Sequence, residues 1–425
     1  MLKKIAKVAV IGLGYVGLPL ARAVIQGGLT CIGLDIDKSK IQKLRHGQTY
    51  LRSVTSSEIQ EWLSQNLFYP TTDFSSIQEA EAILIAVPTP LTRHRDPDLT
   101  YIINTAHSIL PHLVPHQLVV LESTTYPGTT EEVLKPILEK SGFRDGENLY
   151  IAYSPEREDP GNPKFTTSNI PKVVGADHPK SLERAKELYS QIITEIIPMN
   201  STKEAEGVKI LENIYRAVNI ALVNELKILF DKMGLNIWNI IEAAATKPFG
   251  FQKFLPGPGL GGHCIPIDPF YLSWKAKEYD LSTQFIELAG LINSSMPSFV
   301  VSKIQDGLSQ HGKAVKGARI LIVGMAYKKD VEDLRESPAL KIISLLQEKG
   351  AHVMYHDPYI QTLPKLRHYP HLSIERVELE KDLLKSLDCA VIVTDHTKVD
   401  YEFLVRHAPL IVDTRNATKN LRQYS

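Results

Sequence analysis

Cys264 stands in the stretch PGPGLGGHCIPIDP, residues 256–269, among four glycines and four prolines, with Asp268 four positions further on. A cysteine that only fills a core lies among aliphatic residues on a helix or strand. Here the backbone is chosen for shape and presents the thiol on a rigid loop. Cysteine attacks an aldehyde to give a thiohemiacetal, whose oxidation gives a thioester that water hydrolyses to an acid. Such chemistry needs a hydride acceptor, and the N-terminal GLGYVG points to one. Gly12, Gly14 and Gly17 follow the apolar run KVAVIG and open a helical pattern, with Asp35 lying 23 residues beyond Gly12 at the end of the next apolar run. In that context the glycines let a backbone approach a pyrophosphate at a helix N-terminus. Asp35 would accept both ribose hydroxyls and repel a 2′-phosphate, so the expected cofactor is NAD.

A third group lies mid-chain. Ser201 with Glu204 forms a capping box, and the pattern predicts a helix of about 30 residues ending at Gly234, about 45 Å long. Lys209, Asn213 and Arg216 are spaced four and three apart and share one face. Val208, Tyr215, Leu222 and Leu229 recur every seven residues with Leu211 and Val218 between them, an apolar seam long enough to serve a subunit interface.

The elements that must position these groups read as α/β. The first 200 residues alternate β-branched runs (7–12, 30–35, 82–88, 118–123, 149–154) with helical patterns, as in a parallel sheet with crossover helices. Ligands bind beyond the carboxyl ends of such strands, so the turns GLGYVG, VPTP, ESTTYPGTT and SPERED should gather around one crevice. After the cysteine loop a helical stretch runs to about 305, and DGLSQHGKAVKG reads as a linker. ARILIVGMAY, HVMYHDP, DCAVIVTD and PLIVDT then form a second parallel unit. Gly324 and Asp357 loosely echo Gly12 and Asp35, but without the full glycine fingerprint this unit is not expected to bind the same dinucleotide.

The 48 basic and 48 acidic side chains cancel, which argues against general attraction to nucleic acid or an anionic membrane. Cys31, Cys264 and Cys389 are odd in number, far apart and without metal-ligand spacing, so a reducing compartment is expected, and neither a disulfide framework nor a metal. Lys7 and the glycine motif argue against a signal peptide, and no other apolar run reaches the roughly 18 uncharged residues of a membrane span. The expected location is cytoplasmic, where the N-glycosylation patterns at Asn200, Asn293 and Asn416 carry no meaning.

GLGYVGLP, VPTP, SPER, KILEN, GPGLGGHCIPIDP and YKKDVEDLRESP, in this order, resemble the UDP-sugar 6-dehydrogenase family, which includes UDP-glucose and UDP-N-acetylhexosamine dehydrogenases. The resemblance covers essentially the whole chain. It implies two Rossmann-like parallel-sheet domains joined by a central helical domain with a long helix: an NAD-binding domain at 1–200, a helical dimerisation domain with the catalytic loop at 201–305, and a UDP-sugar-binding domain at 312–425. It also implies a homodimer through the central helix and oxidation of the sugar C6 alcohol to a carboxylate with two NAD.

By the same resemblance Cys264 is the nucleophile, Asp268 helps activate the hydrolytic water, Lys209 stands beside the oxyanion and Asn213 on the sugar. Glu156 is the acid/base of hydrolysis and Thr124 its water-orienting hydroxyl. Tyr15, Val16, Pro88, Thr89, Thr124 and Arg335 join the glycines and Asp35 on NAD. Lys328 contacts the diphosphate, and the loop from Phe254 through Gly257, Gly259 and Gly261 wraps the nucleotide. One departure is Ile267, where UDP-glucose dehydrogenases often carry lysine. Arg157 and His263 flank the site as donors for a 2-acetamido group, so the set most resembles bacterial UDP-N-acetylglucosamine 6-dehydrogenases that feed O-antigen and capsule synthesis. UDP-glucose, UDP-N-acetylgalactosamine and UDP-N-acetylmannosamine remain alternatives. So does a two-electron hydroxyacid-type dehydrogenase, which has no use for Cys264, and a non-catalytic nucleotide sensor.

Overall fold

A computed structural model describes residues 4–92, 96–157, 168–262, 265–364, 366, 369–370 and 372–421. The chain divides into two compact units, Met1–Glu212 with Phe270–Ser282, and Asn213–Pro269 with Thr283–Ser425.

The first unit is built on an eight-stranded sheet. Its strands are β1 (Lys7–Ile11), β2 (Thr30–Leu34), β3 (Phe68–Thr71), β4 (Ala82–Ile85), β5 (Gln117–Leu121), β6 (Leu149–Tyr153), β7 (Lys172–Gly175) and β8 (Ile196–Met199), in the order β3-β2-β1-β4-β5-β6-β7-β8. All neighbours are parallel except β6 and β7. The strand order reverses between β1 and β4, the position at which a doubly wound sheet opens its ligand crevice. Val8, Val10, Leu84 and Val120 fill one face, and Ala9, Ile11, Ile83, Ile85 and Leu121 the other, the near-continuous apolar reading of a sheet covered on both sides. β3, β7 and β8 have no counterpart among the strands expected from sequence. β3 and β8 are the two edges, and each carries a proline, Pro70 and Pro198, whose missing N–H an edge tolerates and a central strand does not.

The second unit carries a five-stranded parallel sheet of β9 (Arg319–Val323), β10 (His352–His356), β11 (Glu375–Arg376), β12 (Cys389–Ile392) and β13 (Ile411–Asp413), ordered β11-β10-β9-β12-β13. Only the two-residue β11 lies outside the sequence expectation. The helix Gln284–Gln310 continues into the expected linker because Leu308, fully buried, belongs to the core on this sheet. By length and composition this helix could cross a membrane. Its inner face, with Met296, Val300, Val301 and Ile304, is buried within the unit.

The long helix Thr202–Lys232 contributes residues to both units. Ser201 Oγ accepts the Glu204 amide (3.1 Å) while the Glu204 carboxylate reaches back to the Asn200 amide (3.1 Å), so the expected capping pair is present. A Cβ on Gly175 would stand 2.2 Å from the Ser201 carbonyl oxygen and 2.7 Å from Ala205 Cβ, so only glycine lets β7 meet the helix start this closely. Further along, Asn224 Nδ2 donates to Asn293 Oδ1 (2.9 Å), and Asn293 Nδ2 to the Ala217 carbonyl (3.1 Å), both amides being buried.

Candidate active site

Gly12 has φ +92°, and a Cβ there would lie 2.6 Å from the Ala86 carbonyl oxygen at the end of β4. Gly17 meets the Gly12 carbonyl in the same way, at 1.8 Å. Gly14 differs, because a Cβ there meets nothing within 4 Å. Two glycines of the fingerprint thus serve close packing, and the middle one faces open space, where the sequence reading expects a pyrophosphate. Tyr15 and Pro88 are exposed and Val16 half-buried around this turn. Asp35 is nearly buried. Its Oδ2 accepts the Leu13 amide (3.0 Å) and lies 3.2 Å from Lys40 Nζ, and its Oδ1 accepts the Asp37 amide (2.9 Å). The carboxylate therefore shapes the glycine turn. Neither Lys40 nor Tyr50, whose hydroxyl donates to the Leu13 carbonyl (2.5 Å), carries a sequence signal.

The strand-end turns of the first unit are tied to one another. Thr89 Oγ1 donates to the Thr124 carbonyl (2.8 Å), and Ser123 Oγ to the Val87 carbonyl (2.7 Å), joining VPTP to ESTT. The Tyr271 hydroxyl donates to the Thr89 carbonyl. Thr124 and Glu156 are half-buried. Arg157 uses Nη1 on the Pro171 carbonyl (2.6 Å) and Nη2 on Glu212 (2.6 Å), which commits part of its guanidinium within the protein. Glu206, which the sequence reading missed, accepts the amides of Gly128 (2.5 Å) and Thr130 (2.9 Å) and the Thr130 hydroxyl (2.7 Å). Burial pushes its carboxyl up to about 7, against the pull of those donors. Lys209, one turn on, is 8% exposed.

In the second unit Asn213 Nδ2 donates to Asp268 Oδ2 at 2.6 Å, with both side chains buried. Arg216, expected on the same stripe, is exposed. His263 and Cys264 lie outside the described residues, as do 158–167 after Arg157. The other two cysteines are core residues of β2 and β12. Burial pushes both thiols up, Cys389 to about 12, so neither supplies thiolate.

The loop before the thiol uses its glycines largely for contact within the unit. Gly257 donates its amide to Asn224 Oδ1 (2.9 Å), and a Cβ there would stand 2.8 Å from Arg415 Nη1. Gly262 donates to the Arg335 carbonyl (2.8 Å), and Cβ atoms on Gly261 and Gly262 would meet Tyr327 at 2.5 and 2.9 Å. The amide of Gly257, in the loop expected to wrap a nucleotide, and that of Gly262 are thus engaged within the protein. Gly259, at φ +130°, turns the chain between them, and the Phe254 ring packs edge-on to Tyr215 at 5.7 Å. Lys328 is half-buried, and Arg335 folds back onto Asp333 (2.6 Å) with 44% of its side chain exposed. Arg415, unmarked in the sequence reading, donates from Nε to the Val393 carbonyl (2.8 Å) under the same loop.

Asp357, the counterpart of Asp35, is spent internally. Its Oδ2 accepts the amides of Met325 (2.7 Å) and Ala326 (3.2 Å) and lies 3.0 Å from His396 Nε2, while Oδ1 accepts those of Tyr359 (2.7 Å) and Ile360 (3.0 Å). The two aspartates therefore hold like positions with different partners.

Profiles of three consecutive domains match the chain: the NAD binding domain of the UDP-glucose/GDP-mannose dehydrogenase family over residues 6–193, its central domain over 203–295 and its UDP binding domain over 321–420. The chain belongs to this family. It is an NAD-dependent nucleotide-sugar dehydrogenase. Among its relatives, a UDP-N-acetyl-D-glucosamine 6-dehydrogenase of Pseudomonas aeruginosa is 38% identical over 367 residues, 85% of each protein. Protein CapL of Staphylococcus aureus is 35% identical over 415 residues, 96% of this chain and 95% of that protein. The solved structure of a UDP-N-acetyl-D-mannosamine dehydrogenase from Pyrococcus horikoshii superimposes with a TM-score of 0.86 at 32% identity, covering 97% of this chain and 96% of that one.

Asp35→Ala tests the dinucleotide turn of the dehydrogenase. A charge-assisted hydrogen bond is worth roughly 1.5–3 kcal/mol, so KM for NAD should rise about tenfold to a hundredfold and the preference over NADP should narrow. Steady-state kinetics with both cofactors reads this, and an unchanged preference means that Asp35 does not face the ribose.

Proposed function

We propose that the enzyme oxidises the C6 alcohol of a UDP-N-acetylhexosamine, UDP-N-acetylglucosamine in first place, to the uronic acid in two NAD-dependent steps, for surface polysaccharide biosynthesis such as O-antigen. The observation that supports it best is the buried Asn213–Asp268 bond at 2.6 Å, a carboxylate fixed in orientation four residues from Cys264. NAD supplies the hydride acceptor in both oxidations. The first oxidation yields the C6 aldehyde. The Cys264 thiolate adds to it, and Lys209 stabilises the negative charge that appears on oxygen. The second oxidation leaves a thioester. Water adds to the acyl carbon and the C–S bond breaks. Glu156 takes the proton from the water, Thr124 and Asp268 orient it, and Asn213 holds the sugar.

Lys328 is the cation for the diphosphate, and Arg335, released from Asp333, is the one for NAD. A 2-acetamido carbonyl takes its hydrogen bond from His263 or from the N–H groups of Arg157 that Glu212 and Pro171 leave over. A donor left unpaired by glucose separates the two substrates. Two of the relatives are named for 2-acetamido sugars, consistent with this choice. A partition at 1–200, 201–305 and 312–425 and a cytoplasmic location complete the proposal. The long helix exposes Leu211, Tyr215, Leu222 and Leu229, each 48–67% accessible, and we assign this apolar face to a homodimer.

A panel of UDP-sugars with NAD, followed by NADH absorbance and product analysis, is expected to give two NADH per sugar, no free aldehyde, and higher kcat/KM for a UDP-N-acetylhexosamine than for UDP-glucose. One NADH per sugar would overturn the four-electron reading, and equal efficiency with UDP-glucose would overturn the choice of sugar alone. Cys264→Ala should abolish acid formation and leave NAD affinity intact by calorimetry, whereas full turnover would exclude the thioester. Leu222→Glu places a charge on the helix face and should shift the protein to monomer in analytical ultracentrifugation. A dimer of unchanged strength would place the interface elsewhere.

A further inference from the structure

The turn that carries Glu156 rests on a buried cation. Lys172, first residue of β7, is 4% exposed, and its Nζ lies 2.5 Å from Glu122 Oε2 and 3.2 Å from the Pro155 carbonyl oxygen. Glu122 follows β5, its side chain fully buried, and its Oε1 accepts the hydroxyl of Tyr189, which is fully buried as well. The ammonium also lies 5.4 Å from the Tyr189 ring centroid.

Taking both charges out of water costs more than filling the same space with apolar side chains, so stability alone does not account for the pair. What apolar side chains lack is a charged donor aimed at the carbonyl of the residue before Glu156. Because Glu122 precedes Ser123 and Thr124, the ion pair also joins the ends of β5, β6 and β7, and with them the turns of Thr124 and Glu156. On the far side of Glu156, Arg157 is held by Glu212 of the long helix and by the carbonyl of Pro171, the neighbour of Lys172.

We infer that Lys172 is a positioning residue for Glu156: Glu122 and Tyr189 fix its ammonium, the ammonium fixes the Pro155 carbonyl, and the Arg157–Glu212 pair closes the turn from the other side. The inference rests on the reading of Glu156 as the base of thioester hydrolysis. In that step the water oxygen bonds to the acyl carbon, the C–S bond breaks, the electron pair leaves on sulfur, and the proton taken by Glu156 is available to the departing thiolate. Misplacing a base by about 1 Å can cost up to about a hundredfold in rate without touching substrate affinity.

The test uses Glu156→Gln, Glu122→Gln/Lys172→Met and Glu212→Gln in the full-length enzyme. It measures kcat, KM for NAD and for UDP-N-acetylglucosamine, and the acyl-enzyme on Cys264 by intact mass in the steady state. The double variant removes both buried charges together, so neither is left unpaired. Glu156→Gln should accumulate acyl-enzyme, and if it does not, the reading of Glu156 fails whatever the other variants do. Given that accumulation, the double variant and Glu212→Gln are each expected to lose about tenfold or more in kcat, to accumulate acyl-enzyme, and to keep kcat/KM for NAD within about twofold, KM falling with kcat because the slowed step follows both oxidations. Wild-type acyl-enzyme levels in both, or changes confined to KM, overturn the inference. Should the double variant not fold, Glu212→Gln, on a pair 26% and 35% exposed, decides it by the same readout.

Discussion

One buried carboxylate, Glu206, ties the turn after β5 to the long helix. A sheet of this kind delivers its strand-end turns to one edge but leaves each free to choose its own height. Glu206 removes that freedom for the turn after β5 by accepting two of its amides and a hydroxyl. It does so from the long helix, one turn before Lys209, so the lysine and the ESTTYPGTT turn share a common reference. Gly175 brings β7 against the start of the same helix, and Thr202 is bound there by Asp177 (3.0 and 2.8 Å). Helix, turn and sheet edge are thus indexed to one another by directional bonds rather than by packing alone.

The two sheets answer the same design question in opposite ways. In each, an aspartate at the end of the second strand faces a glycine turn after the first. Asp35 accepts the Leu13 amide and the Lys40 ammonium on one oxygen and the Asp37 amide on the other. Asp357 accepts four amides and pairs with buried His396, which saturates it. The same residue at the same place thus has two amide partners in one sheet and four in the other, and the difference lies in what the surrounding loops donate.

Much of this was legible in the residues. Five strands of the first sheet and four of the second carry clear β-branched runs, and the long helix announces its start through Ser201 and Glu204. The proline-bearing edge strands were not, because edge strands have neither a two-sided core nor a full hydrogen-bond ladder to impose a pattern. Gly12, Gly14, Gly17 and Asp35 could be read as a group because their spacing is dictated by one ligand. Glu206, Lys172 and Glu122 could not, since each makes sense only through a partner 50 or more residues away. The glycine loop shows its shape-determining character in its composition, yet its spacing cannot say whether an amide faces Asn224, Arg335 or a ligand.

The amide chain of the second unit limits how its two long helices can move. Asn224 gives its Nδ2–H to Asn293 and receives the Gly257 amide on its oxygen, while Asn293 donates to the Ala217 carbonyl, so each amide has one orientation that satisfies its partners. Aliphatic side chains at these positions would specify the register of the helices less sharply, because apolar contacts are not directional. A slip of one turn here strands two buried amides and the Gly257 N–H together. The stretch that leads to the cysteine therefore hangs from a helix pair that behaves as a detent, held at one setting.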